Sequence, residues 1–62
     1  MDWEKIGTQW IAKRESGRFI INRSKGLYWA KYESSYTVFR LPPNKSIKQA
    51  KKICEENFYW DE

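Results

Sequence analysis

The sequence predicts an α+β fold in which one C-terminal helix packs on an antiparallel meander sheet of three or four strands. Three observations support this prediction. Short segments of β-branched and aromatic residues are separated by turn signals, a Pro-Pro dipeptide follows the last of them, and the next residues repeat their apolar positions at helical spacing. The chain has 62 residues, so we expect a single domain covering residues 1–62.

Four segments are expected to be strands. They lie at about 8–14, 18–23, 27–33 and 36–41. The third segment alternates most clearly, because Trp29 and Lys31 fall on the face opposite to Ala30. Gly17 and Gly26 stand among polar residues and are expected in the turns between strands.

The helix is expected at about 47–57, with Ser46 as its N-cap residue. One side of this helix should face the sheet; its residues are Ile47, Ala50, Ile53, Cys54, Asn57 and Phe58. Lys48, Lys51 and Lys52 should face solvent on the other side. A single helix covers one face of such a sheet, so we expect the second face to be open.

The composition argues against catalysis, cofactors and metal sites. The chain contains no histidine and one cysteine, Cys54, so histidine-based triads and an internal disulfide are excluded. The glycines stand alone, so a glycine-rich phosphate loop is absent. The sequence shows neither a signal peptide nor an apolar run long enough to span a membrane, and we expect a cytoplasmic protein that binds a macromolecule.

The charge is distributed unevenly along the chain. All 12 basic residues lie between Lys5 and Lys52, where only Glu15 and Glu33 oppose them, so this stretch carries a net charge of +10 while the two ends carry −6. A basic body of this kind favours a polyanionic partner or an acidic protein surface.

Cations and aromatic rings alternate in the predicted strands, which favours nucleic acid, and duplex DNA in particular, as the partner. A basic sheet face can contact phosphates while an exposed ring stacks on a sugar or base. If the basic residues project from the open face, the predicted nucleic-acid-binding residues are Arg14, Arg23, Trp29, Lys31 and Arg40.

From Gly17 to Asn57 the chain resembles the sheet-plus-helix DNA-binding modules of plant ethylene-response factors and of phage integrase N-terminal arms. The resemblance is in 18–21, 26–32 and 36–39, followed by the helix 46–54, where Ala50 matches the packing alanine. It implies a DNA-binding sheet. Trp3 and Trp10 belong to an additional N-terminal element that these modules lack.

The chain also resembles the short accessory proteins that phages and mobile elements encode. Some of these bind DNA, and others, such as anti-CRISPR and anti-restriction proteins, bind and inhibit a host protein. The alternative function is therefore a small interaction protein of this second kind. Many such inhibitors are acidic mimics of DNA, which the basic body of this chain argues against.

Overall fold

The computed structural model describes residues 2–15 and 17–56, and it confirms the α+β fold. The described elements are β1 (Glu4–Ile6), β2 (Gln9–Lys13), β3 (Gly17–Ser24), β4 (Leu27–Ser34), β5 (Val38–Arg40) and α1 (Ile47–Glu56). Every neighbouring pair of strands is antiparallel, and the sheet order follows the chain order. The sheet is therefore a meander, and its five strands exceed the predicted three or four.

The additional strand is β1, which precedes the first predicted one. It pairs with β2 so that Lys5 lies opposite Trp10, and Gly7 allows the tight turn between them with a φ of 62°. All three residues of β1 are exposed, so the strand has no apolar alternation. It is held by pairing with β2 rather than by burial of its own side chains.

The last strand is shorter than predicted because the turn before it takes up more residues. The Ser34 Oγ accepts hydrogen bonds from the backbone N–H groups of Tyr36 and Thr37, both at 3.3 Å. The Ser34 N–H in turn donates to the Thr37 carbonyl oxygen at 2.9 Å. Residues 36 and 37 are thus part of a closed turn, and β5 begins only at Val38.

The pairing register divides the strand residues between two faces. The face that carries the helix, here the covered face, presents the aromatic core, and the opposite face, here the open face, is covered by no described element. The open face consists of Glu4, Ile6, Gln9, Ile11, Lys13, Arg18, Ile20, Asn22, Ser24, Leu27, Trp29, Lys31, Glu33, Val38 and Arg40.

The centre of the covered face is a short stack of rings. Tyr32 lies between Phe19 and Phe39, with ring centroids 5.0 and 5.2 Å apart, and both contacts are tilted. Ile21 and Ala30 extend this buried surface toward the other end of the strands. Tilted aromatic pairs add to the stabilisation that burial alone provides, so three neighbouring strands are joined through their side chains as well as their backbones.

Helix α1 lies across β3 and β4, as its apolar stripe predicts. The Ser46 Oγ accepts a hydrogen bond from the Gln49 N–H at 3.1 Å, which confirms the predicted N-cap. Ala50 and Cys54 are fully buried against the sheet, and Ile53 packs at the margin of the core. The predicted helix residue Asn57 and the predicted contact of Phe58 lie outside the described residues.

One helix lysine lies elsewhere than predicted. The Lys51 Nζ is 3.8 Å from the centroid of the Trp10 ring and 6.0 Å from that of Trp3, so Lys51 does not simply face solvent. The Trp3 indole N–H also donates to Glu55 at 3.4 Å. These contacts attach α1 to the first hairpin, and Lys48 and Lys52 remain exposed.

Candidate nucleic-acid interface

Two pairs of cations lie directly opposite each other on the open face. Lys13 in β2 pairs with Arg18 in β3, and Lys31 in β4 pairs with Arg40 in β5. Directly opposed residues have Cβ atoms about 4.5–5.5 Å apart, and like charges at that spacing destabilise a sheet. Stability alone therefore does not explain why this arrangement occurs twice on one face.

A single acid lies between the two pairs. The Glu33 carboxylate accepts hydrogen bonds from Nη2 and Nε of Arg18 at 2.8 and 3.2 Å, and its second oxygen is 4.0 Å from the Lys31 Nζ. Glu33 thereby reduces the repulsion that Arg18 and Lys31 impose on their neighbours. All three side chains are partly exposed, so water and salt screen this network.

Trp29 forms one wall of a shallow groove on the same face. Its indole N–H donates to the Ser24 carbonyl oxygen at 3.0 Å, which fixes the ring across the end of β3, and 42% of the residue remains exposed. The groove has a volume of about 380 Å³ and is lined by Asn22, Ser24, Lys25, Trp29, Ala30, Lys31, Arg40 and Leu41. A fixed, half-exposed ring beside three cations can stack on a sugar or base while the cations contact phosphates.

The structure brings together three of the five residues that the sequence predicts for the site. Trp29 and Lys31 are on the same face of β4, and Arg40 lies opposite Lys31. All three line the groove. Their grouping follows from the alternation about Ala30, which is buried on the covered face.

Of the other two predicted residues, Arg14 lies near the open-face cations outside the groove, and the prediction that Arg23 projects from the open face is wrong. Arg23 is on the covered side of the sheet, opposite Tyr28, with its guanidinium carbon 5.8 Å from the Tyr28 ring centroid. Arg14 follows β2, and its backbone N–H donates to the carbonyl oxygen of Gly17 at the start of β3. It lines a shallow depression together with Lys13, Arg18 and Glu33. Strand periodicity explains the position of Arg23, because it is two residues from Ile21, which is fully buried in the core.

Sequence reasoning missed Lys13 and Arg18 as residues of this face. Ala12 and Phe19 pair with each other on the covered face and are both fully or almost fully buried. Each missed cation is adjacent in sequence to one of these residues, so each projects from the opposite side. Alternation counted from Ala12 is the sequence signal for Lys13, whereas Arg18 follows only once strand pairing shows that Phe19 is buried.

The acidic residues and Cys54 are the remaining side chains to consider for metal binding or reactivity. The described residues hold no cluster of three or more acidic or cysteine side chains that could bind a metal ion. Burial raises the pKa of the Cys54 thiol from 9.0 to about 12, with a smaller contribution from the Glu55 carboxylate, so the thiol stays protonated at neutral pH. No helix in this part of the chain is long and apolar enough to cross a membrane.

Comparison with known proteins assigns no family and no function to the chain. The resemblance to the ethylene-response factor and integrase modules stays a prediction. No family model matches the chain, and neither a curated protein nor a solved structure is significantly similar to it.

Proposed function

We propose that this protein binds duplex DNA through the open face of its sheet and catalyses no reaction. The observation that carries this proposal is the pairing of Lys13 with Arg18 and of Lys31 with Arg40 beside the exposed Trp29. Opposed cations that weaken a free sheet become favourable when they bind phosphates, because each neutralised phosphate releases counterions.

The dimensions of the sheet suit a groove of the duplex. At a strand spacing of about 4.8 Å, three strands span about 10 Å and all five span about 19 Å. The major groove is about 12 Å wide, so β3, β4 and β5 can enter it together while the remaining strands stay outside. Arg18, Lys31 and Arg40 then accompany the inserted strands, and Lys13 on β2 contacts a phosphate at the groove edge.

The ring content of the face favours a duplex over a single strand. Among the described strands, Trp29 is the only aromatic residue on the open face. Binding of single-stranded nucleic acid normally uses several rings, on which successive bases stack. One ring with four cations is better suited to contacting the sugars and phosphates of a duplex.

A second candidate function is the binding of a host protein by this same face. Ile6 and Val38, at opposite edges of the open face, are 54% and 52% exposed. Together with the exposed Trp29, they give this face apolar surface that a protein partner would bury. The two candidates differ in their response to salt, because only phosphate binding gives the steep logarithmic dependence that counterion release produces.

The direct test is a titration with duplex DNA, single-stranded DNA and RNA at two salt concentrations. We expect the duplex to bind most tightly, with a log–log slope near −0.9 for each phosphate contact. Replacing Lys31 or Arg40 with Ala should make this slope shallower by about one unit and weaken binding similarly for all sequences.

Two exposed lysines on the outer side of α1 provide matched controls. Lys48→Ala and Lys52→Ala remove the same charge far from the open face and should leave the slope almost unchanged. Arg23→Ala is a control on the covered side of the sheet. If the wild-type protein binds no duplex at low salt, the proposal is wrong, and a pull-down from a bacterial lysate tests the protein-binding function instead.

A further inference from the structure

Two carboxamide side chains lie opposite each other on the open face. Gln9 in β2 pairs with Asn22 in β3, and Asn22 in turn lies opposite Trp29 in β4. Both amides are half-buried, and neither makes a side-chain hydrogen bond with another of the residues that the structure describes. The two amides therefore form a polar row across the sheet with free hydrogen-bonding capacity.

Cations lie on both sides of this row along the strand direction. Asn22 is in the groove that Trp29 lines, with Lys25 at the β3–β4 turn on one side and Lys31 and Arg40 on the other. Lys31 is on the strand next to Asn22 and two residues beyond its direct partner Trp29, a diagonal separation of about 7–8 Å. A nucleic acid held by these cations would bring its bases over the amides.

The chemistry of the carboxamide selects one base in a duplex. A carboxamide offers one acceptor and two donors, and in the major groove only adenine presents a matching donor and acceptor, at N6 and N7. Guanine presents two acceptors there, which suit arginine or lysine better. The cations of the open face lie opposite one another, and Arg18 forms an ion pair with Glu33. The two amides lie in a different cross-strand row, between Ile6 and Trp29.

We infer that Asn22, on the inserted strand β3, recognises adenine in the major groove and so gives the protein a sequence preference, while Gln9 on β2 stays at the groove edge. This inference rests on the proposed function, since the cations must first hold the duplex against the open face. Lys25, Lys31 and Arg40 then act as phosphate contacts on either side of the base that Asn22 reads.

Selection from a random pool of duplexes of about two helical turns tests the inference. The wild-type protein should enrich sequences with at least one fixed A·T pair, and Asn22→Ala should lose the preference at that pair while keeping its salt slope, because no charge is removed. One good bidentate contact corresponds to a discrimination of about 5- to 150-fold. Gln49→Ala, which removes an exposed carboxamide from α1, should enrich the same sequences as the wild type.

A base analogue tests the same contact by changing the DNA instead of the protein. In 7-deazaadenine, a C–H group replaces N7 while pairing with thymine is retained, so only the acceptor in the major groove is lost. Wild-type affinity should fall several-fold when this analogue replaces the selected adenine, and the affinity of Asn22→Ala should not change. Unfolding curves of both proteins confirm that the variant is folded.

The possible results separate this inference from the proposed function. If the wild type binds duplex DNA but enriches no fixed A·T pair, the inference is wrong and the proposed function stands. The same conclusion follows if Asn22→Ala weakens binding to every sequence equally, because Asn22 then supports the fold and reads no base. If the wild type binds no duplex, both are wrong.

Discussion

Tyr32 lies so close to Gly17 on the neighbouring strand that no side chain fits between them. A Cβ atom built on Gly17 would be 2.5 Å from the Tyr32 Oη and 2.5 Å from the Glu33 carbonyl oxygen. These distances are well inside van der Waals contact. Gly17 was predicted in a turn, but it begins β3, where the lack of a side chain leaves room for the Tyr32 ring.

Gly17→Ala should therefore destabilise the protein by about 1–3 kcal/mol, the usual effect of overpacking a well-packed site. The Glu33 backbone cannot retreat without breaking the β3–β4 pairing, and the Tyr32 ring is held by Phe19 and Phe39. Urea denaturation measures the change. Gly26→Ala is the comparison, because open space surrounds Gly26 and only its φ of 76° opposes a side chain.

The contact between Lys51 and Trp10 provides a second prediction. A cation over an indole ring contributes about 0.5–2 kcal/mol, depending on how far the pair is desolvated. Lys51→Ala should lower the free energy of unfolding by an amount in this range. Lys48→Ala and Lys52→Ala, on the exposed side of the same helix, should change it by less than about 0.5 kcal/mol. Equal effects of all three substitutions would contradict a specific contact with Trp10.

The position of Lys51 shows what helical spacing leaves out. Lys51 follows the buried Ala50 and is one turn beyond Ile47, at the boundary of the apolar face. Spacing alone assigns such a residue to solvent. A lysine has a long apolar stem and a charged end, so at a boundary it can lie along an aromatic surface. That surface comes from β2, which is distant in sequence, and the helix pattern contains no information about it.

The candidate site was predictable where one buried residue fixes the alternation. Ala30 is flanked by larger residues, so the sequence alone predicts that Trp29 and Lys31 lie on the face opposite to Ala30. Near Arg23 the pattern is ambiguous, because Phe19, Ile20 and Ile21 are consecutive and apolar. Ile20 is on the open face yet only 6% exposed. The sequence allows either Phe19 and Ile21 or Ile20 to face the core. Only the pairing with β4 shows that Phe19 and Ile21 do so, and this places Arg23 on the covered face.

The ends of the sheet were less predictable than its centre. Strand β1 is short and fully exposed, so only its backbone pairing with β2 identifies it. At the other edge, Tyr36 and Thr37 have the residue types of a strand, but the Ser34 side chain draws both into the turn. Local hydrogen bonds from serine compete with strand pairing in this way. Residue preference alone cannot anticipate which of the two wins.

The raised pKa of the Cys54 thiol predicts a loss of stability at alkaline pH. In the unfolded chain the thiol ionises near pH 9.0, whereas in the folded protein it keeps its proton until about pH 12. Between these values the folded state binds more protons than the unfolded state, so the stability that the protonated thiol provides falls as the pH rises. The slope approaches about 1.4 kcal/mol per pH unit from this group.

Urea denaturation at pH 7, 9 and 10 measures this effect, with Cys54→Ala as the control. All other residues are the same in the two proteins, so the difference between their pH dependences isolates the thiol. The wild type should therefore lose stability above pH 9 faster than the variant. Parallel curves for the two proteins would show that the thiol ionises equally well in the folded state.

The position of Glu33 between Arg18 and Lys31 leads to a prediction about DNA binding. The Glu33 carboxylate forms ion pairs with Arg18 and Lys31, two cations that we propose contact phosphates. It also places a negative charge near the middle of the open face. Glu33→Gln keeps the size of the side chain and removes this charge. The variant should bind duplex DNA several-fold more tightly, and its salt dependence should steepen by about one to two units as Arg18 and Lys31 become available.

Glu56→Gln is the matched control, since it makes the same change in net charge on an exposed residue of α1. A long-range effect of net charge alone would give the two variants equal affinity, and the open face would then not be the binding surface. Weaker binding by Glu33→Gln would instead mean that the carboxylate holds Arg18 in the orientation that DNA requires. The stability of Glu33→Gln should stay within about 1 kcal/mol of the wild type, because partly exposed ion pairs contribute little. A change confined to DNA binding would therefore assign Glu33 to the control of affinity and not to the fold.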